Sequence, residues 1–145
     1  MKLVSIHTSS TPGEPMRTVD SINAIAGRGL EGDRYFDAKR KPGQQVTLIE
    51  REAVTALGRD YGVELAPGDA RRNLVIEGVA LNHLVGREFT IGDVRLKGIR
   101  LCEPCTHLQK LTGAKVLPGL VHRGGLRAEI LKSGELKPGL SVVTE

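Results

Sequence analysis

No tryptophan occurs among the 145 residues, and there are only two phenylalanines and two tyrosines. Large aromatic rings therefore cannot fill the interior, which falls to Val, Leu, Ile and Ala. The same scarcity removes the stacking platforms on which single-stranded nucleic acid is bound. No helix-turn-helix, zinc-finger or RRM signature is present either, so a nucleic-acid partner is not expected. Cysteine is almost as rare, Cys102 and Cys105 being the whole supply. So close together, they cannot tie distant parts of a fold, which fits a reducing compartment better than a disulfide-stapled secreted domain. Long apolar runs are also missing. The opening stretch, MKLVSIHTSSTPGEP, has no apolar core of signal-peptide length, and no run reaches the length of a membrane span. The expectation is a cytoplasmic protein without a membrane partner.

What is present fits one domain, residues 1–145. A chain of this length buries about two-thirds of the surface it exposes when unfolded, enough for a core without staples. Eighteen glycines and seven prolines are scattered along it. That pattern predicts many short elements joined by tight turns, hence a mixed but β-rich fold with a few short helices. The net charge of +4, from 21 Lys and Arg against 17 Asp and Glu, favours anionic partners without naming one.

Alternation of apolar and polar residues predicts strands over 1–8 and 19–26. Residues 27–44 form a polar, glycine-punctuated stretch too long for an ordinary connection, and such loops often carry function. A short strand over 45–49 then feeds a helix on which Ala53, Val54, Leu57 and Tyr61 share a face, with Gly62 as its stop. Thr47 and Glu50 have the spacing of a capping box for it. A strand over 73–76, a helical turn over 81–85 and a hairpin over 88–101 turning at Gly92 and Asp93 come next. Leu108 and Leu111 predict a short helix ending at Gly113. Strands over 117–122, 126–131 and 140–143 complete the chain, with a turn at Lys137, Pro138 and Gly139.

The sequence CEPC, Cys102 to Cys105, is the most informative local motif. Two thiols at this spacing can share a metal, exchange a disulfide, pack as small hydrophobes, or leave one thiolate reactive or metal-ligating. A zinc site would need two further ligands from His7, His83, His107, His122 or carboxylates. A thioredoxin-like role would want a preceding βαβ pattern. A single thiolate is favoured at Cys105, because Pro104 suits the first position of a helix whose free N–H groups stabilise anionic sulfur. Three arginine-bearing segments accompany it. In GDARRN, Arg71 and Arg72 precede Asn73 at a strand entrance, and their planar forks suit oxyanions or a salt bridge to Asp69 or Asp33. In LEGDRY, Asp33 and Arg34 follow a glycine. In HRGGLR, Arg123 precedes Gly124 and Gly125, which can form an anion nest or merely a bend between strands.

Taken in order, LEGDRY, QVTLIE, GDARRNLVIEG, LVGREFTIGDVRL, LCEPC and HRGGLRAEIL resemble the MOSC domain family, named for the C-terminal domain of molybdenum cofactor sulfurases. The likeness runs from about Leu30 to the C-terminus and is nearest in size to the small stand-alone bacterial members. It implies a β-barrel-like mixed fold and a molybdenum cofactor (molybdopterin) held by one cysteine, which carries over to Cys105 as metal ligand and catalytic residue. Asp33, Arg34, Arg71, Arg72, Asn73, Arg123 and Gly124 are the implied cradle. The implied activity is a molybdenum-dependent oxidoreductase that reduces N-hydroxylated compounds, with a non-catalytic carrier of the cofactor or its persulfide sulfur as the alternative. No pyridoxal phosphate or iron–sulfur cluster is expected. A reductase would need a separate electron-donor protein, and a carrier a cofactor-dependent partner enzyme.

Overall fold

The computed structural model describes residues 1–11, 14–36, 42–61, 72–102 and 124–144. Among them are β1 (Lys2–Thr8), β2 (Arg17–Val19), β3 (Ile22–Ile25), β4 (Gly29–Leu30), β5 (Val46–Glu50), helix α1 (Arg51–Tyr61), β6 (Leu74–Glu77), β7 (Glu88–Ile91), β8 (Val94–Leu101), β9 (Leu126–Lys132), β10 (Gly134–Leu136) and β11 (Val142–Thr144). Short 3-10 turns cover Pro42–Gln44 and Leu81–Leu84. Eight strands form one large sheet in the order β11-β7-β8-β9-β5-β6-β1-β2, and β10-β3-β4 form a second. The large sheet is mixed: β5 and β6 run parallel and its other pairs antiparallel.

The ladder itself is open, from β11 to β2. Its two halves nevertheless touch where the chain enters β1. Leu3 N–H donates to the Leu140 carbonyl at 2.9 Å, Gly139 N–H to the Leu3 carbonyl at 2.7 Å and Val142 N–H to the Met1 carbonyl at 3.1 Å.

One row of paired residues ties the sheet's centre together. Ile6, Leu74, Leu48, Leu126 and Leu101 are successive register partners across β1, β6, β5, β9 and β8. The first four are fully buried, and each such side chain contributes about 1.5–3 kcal/mol. The small sheet packs its own apolar residues, Ala24, Leu30 and Leu136, into the same core. Ile49 and Val75 are buried outside that core cluster, on strands against which α1 packs. This explains the continuous apolar reading of β5, a strand covered on both faces.

Two glycines are demanded by close approach. A Cβ on Gly125, at φ +110°, would overlap the Leu48 carbonyl oxygen, and one on Gly98 would overlap that of Leu84. Only glycine lets β9 begin against β5, and β8 pass under the 3-10 turn.

The β-rich expectation holds, as do the hairpin turning at Gly92 and Asp93, the helix beginning after β5 and the turn over 81–85. Three local readings need correction. The predicted strand 19–26 is two strands, because the chain changes sheets after Asp20: β2 pairs with β1, while β3 pairs with β10 and β4. The capping box does not form. Thr47 lies inside β5, its hydroxyl bonded to Asn73, and the Glu50 carboxylate accepts from Leu81 N–H at 3.3 Å. Finally, β4 and β10 have two and three residues, too few for alternation to reveal. The predicted elements over 108–113 and 117–122 lie outside the described residues. No helix among the described residues is long and apolar enough to cross a membrane.

Candidate functional site

The loop that follows β4 is organised by a carboxylate. Asp33 Oδ1 accepts from Ser9 N–H at 3.1 Å and Oδ2 from Tyr35 N–H at 3.3 Å. The Arg34 backbone N–H returns to the Ser9 carbonyl at 2.6 Å, so the loop is stitched twice to the end of β1. Asp33 has a fully buried side chain, and an isolated carboxylate there would be costly. Its charge is met by Arg34, whose Nη1 lies 3.4 Å from Oδ1 and 3.1 Å from Met16 Sδ. The guanidinium also stacks over the Tyr35 ring at 4.3 Å from its centroid. Nε and Nη2 make no hydrogen bond to any described residue, and because no buried side-chain nitrogen among the described residues lacks a partner, these donors reach solvent although only 5% of the side chain is exposed. A guanidinium held by a carboxylate and a ring with donors at the solvent boundary is suited to an oxyanion or ordered water.

The second group lies at the entrance of β6. Asn73 is completely buried. Its Oδ1 accepts from Thr47 N–H at 3.1 Å and from the Thr47 hydroxyl at 3.2 Å, while Nδ2 donates to the His7 carbonyl at 3.1 Å. The Asn73 backbone N–H donates to Thr47 Oγ1 at 3.0 Å and its carbonyl accepts from His7 N–H at 2.7 Å. This amide therefore joins β1, β5 and β6 where their backbones part. Its neighbour Arg72 is 7% exposed. Arg72 Nε donates to the Gly124 carbonyl at 2.7 Å and Nη2 to the Cys102 carbonyl at 3.2 Å. One buried guanidinium thus clamps the end of β8 to the approach to β9. Cys102 is 2% exposed, and its N–H donates to the Gly125 carbonyl at 2.8 Å.

These contacts form one chain of hydrogen bonds and adjacent residues, from Arg34 through Asp33, Ser9, Thr8, His7, Asn73 and Arg72 to Cys102 and Gly124. Asp33, Arg34, Arg72, Asn73 and Gly124 share that network. Asp33 pairs with Arg34 rather than Arg72, and Gly124 enters through its carbonyl, as an acceptor. Cys105, Arg71 and Arg123 lie outside the described residues, as does Asp69.

Sequence reading missed Ser9, and took Thr47 only for a helix cap and His7 only for a possible zinc ligand. His7 is 3% exposed, with Ser5 Oγ 2.7 Å from Nε2 and Thr18 Oγ1 3.1 Å from Nδ1. A lone histidine or threonine in an alternating strand carries no signal of such pairing. Among the described residues no group of three His, Cys, Asp or Glu is placed to hold a metal. A surface hollow of about 300 Å³ beside α1 is lined by Arg51, Glu52, Thr55, Arg59 and Glu77, away from the network.

The MOSC domain family model matches residues 36–143. Three solved structures share the fold. The YuaD protein from Bacillus subtilis aligns at TM-score 0.84 and 15% identity, covering 97% of this chain and 93% of that one. YiiM from Geobacillus stearothermophilus aligns at TM-score 0.77 and 15% identity over 99% of this chain and 74% of that one. YiiM from Escherichia coli aligns at 0.72 and 17% identity over 100% and 70%. No curated protein sequence matches the chain.

Proposed function

We infer a function from one premise: the chain belongs to the MOSC domain family, whose model spans most of it. On that premise we read it as a molybdenum-cofactor-binding domain, with Cys105 as the metal ligand and reduction of N-hydroxylated compounds as its activity. The observation that carries the reading is the Arg72 clamp. Its two carbonyl acceptors, on Cys102 and Gly124, bracket the stretch of sequence that contains Cys105 and Arg123, and Arg71 is its covalent neighbour.

The residues present suit such a group. Arg34 offers solvent-reached N–H donors, unengaged by any described residue, for a phosphate or pterin oxygen. A soft thiolate is the natural protein ligand for a soft metal centre. When bound, the cofactor supplies the two-electron chemistry, and the protein's work is to bind, orient and exclude water. Asp33 holds Arg34 in place through its bonds to Ser9 and Tyr35. Arg72 and Asn73 serve as positioning residues, holding the strand ends from which Cys105, Arg71 and Arg123 continue. Asn73, whose side chain is engaged by Thr47 and His7, would act on the cofactor through those neighbours. We read the contacts between the start of β1 and the approach to β11 as the near-closure of a barrel-like sheet that shapes the site. The reductase draws electrons from a separate donor protein.

The test is molybdenum content per chain and melting temperature for the reconstituted wild type, Cys105→Ser and Cys102→Ser, followed by reduction of a hydroxylamino-purine with an artificial electron donor. Cys105→Ser should lose molybdenum and turnover while staying folded, and Cys102→Ser much less so. Full occupancy and unchanged turnover in Cys105→Ser would sink the ligand assignment. Molybdenum bound through Cys105 without turnover, but transferable to a cofactor-dependent enzyme, would identify a carrier instead.

A further inference from the structure

Among the described residues, one face of the large sheet carries more cations than carboxylates. Val94, Leu96, Leu126 and Ala128 are buried, so alternation turns Arg95, Lys97, Arg127 and Glu129 to the opposite side of β8 and β9. Their register forms rows. Glu88, Lys97 and Glu129 are partners in one; Val143, Thr90, Arg95 and Lys132 in a second; and Arg100 stands directly opposite Arg127. Among the described residues of this face five cations thus meet two carboxylates, an excess of three where the whole chain has a net charge of +4. Glu88 is already bonded to Arg95. Arg127 Nη1 donates to the Gly43 carbonyl at 3.4 Å, and no carboxylate of the described residues pairs with it beside Arg100. Like charges directly opposite one another in a sheet are destabilising, a repulsion that an anionic partner would relieve. Helix α1 packs over β5 and β6, and beside the cations Val143 and Leu131 are 56% and 38% exposed.

We propose that this outer face of β11-β7-β8-β9 is a docking surface for an acidic protein, held by Lys97, Arg100, Arg127 and Lys132 around the exposed aliphatic spots. The cations are spaced about 5 Å across the strands and about 7 Å along them. That spread suits clustered Asp and Glu side chains better than a single phosphate. A second copy using the same face would set cation against cation. Nucleic acid is disfavoured because, among the described residues, no aromatic side chain interleaves the basic ones on this face. The surface serves equally a partner that delivers electrons and one that receives the cofactor, so it stands or falls apart from the choice between those functions.

The test uses the full chain, with poly-L-glutamate as probe and single-stranded DNA of equal charge as competitor. Amide shifts on titration should concentrate at Arg95, Lys97, Arg100, Arg127 and Lys132, and affinity should fall with salt. The variant Lys97→Glu/Arg100→Glu/Lys132→Glu should bind the probe at least about tenfold more weakly. The variant Lys2→Glu/Arg17→Glu/Arg28→Glu, with the same change in net charge elsewhere, should lose less than about threefold. Equal losses in the two variants, shifts spread over the whole surface, or tighter binding of the DNA through these residues would overturn the proposal. If the triple reversal fails to fold, Lys97→Gln/Arg100→Gln decides: weaker binding supports the surface and unchanged binding refutes it.

Discussion

Replacing Arg72 by methionine tests the clamp directly. Methionine keeps an unbranched apolar stem but removes the donors to the Gly124 and Cys102 carbonyls, at 2.7 and 3.2 Å. Hydrogen bonds from a charged donor contribute about 1.5–3 kcal/mol each. The gross loss is therefore about 3–6 kcal/mol. Removing a guanidinium that is 7% exposed also removes its desolvation cost, which brings the net to about 2–4 kcal/mol. For a chain of this length 1 kcal/mol corresponds to about 3 °C, so the melting temperature should fall by about 6–12 °C. Urea denaturation monitored by circular dichroism gives the free energy, with exposed Arg28→Met as a control expected within about 0.5 kcal/mol of wild type. Arg72→Lys should fall between, because a compact ammonium cannot span both carbonyls as a planar fork does. A loss below about 1 kcal/mol in Arg72→Met would refute the clamp and remove the physical link between β6 and the ends of β8 and β9.

Gly125→Ala should destabilise by more than about 3 kcal/mol or prevent folding, since a Cβ meets the Leu48 carbonyl oxygen at a positive φ; a urea midpoint near wild type would contradict the close approach. Asn73→Ala leaves Thr47 N–H and the His7 carbonyl without their side-chain partner and should cost about 2–4 kcal/mol. Amide exchange at Thr47 should accelerate in that variant, and unchanged protection would argue against the stitch. Asp33→Asn keeps an oxygen acceptor but strips the charge facing Arg34 and should cost about 1–3 kcal/mol by thermal melting, with no loss expected if the pair is incidental.

Much of the fold was legible where a local rule applied over enough residues. The first five residues of β8, Val94 to Gly98, alternate cleanly before a register shift, and Gly92-Asp93 names its own hairpin. Elsewhere the local signal was real but its partner was not local. Thr47 and Glu50 have capping-box spacing, yet Thr47 is drawn into β5 by Asn73, 26 positions away. The pairing of Asp33 with Arg34 is between sequence neighbours, but its anchor is Ser9, 24 positions back.

The sequence by itself determined the β-rich class, the aliphatic core and which segments carry arginine, because composition and short-range periodicity are properties of a chain before it folds. The family likeness likewise rests on motifs read in order. Only the tertiary structure decided what each arginine does. Arg34 is paired with Asp33 and stacked on Tyr35 at the solvent boundary, Arg72 is engaged by two carbonyls 52 and 30 positions along the chain, and Arg100 is set against Arg127 across the β8–β9 ladder. A guanidinium carries the same charge in every setting. Whether that charge is satisfied within the protein or offered to a ligand depends on the acceptors within about 3 Å of it, and strands distant in sequence supply them.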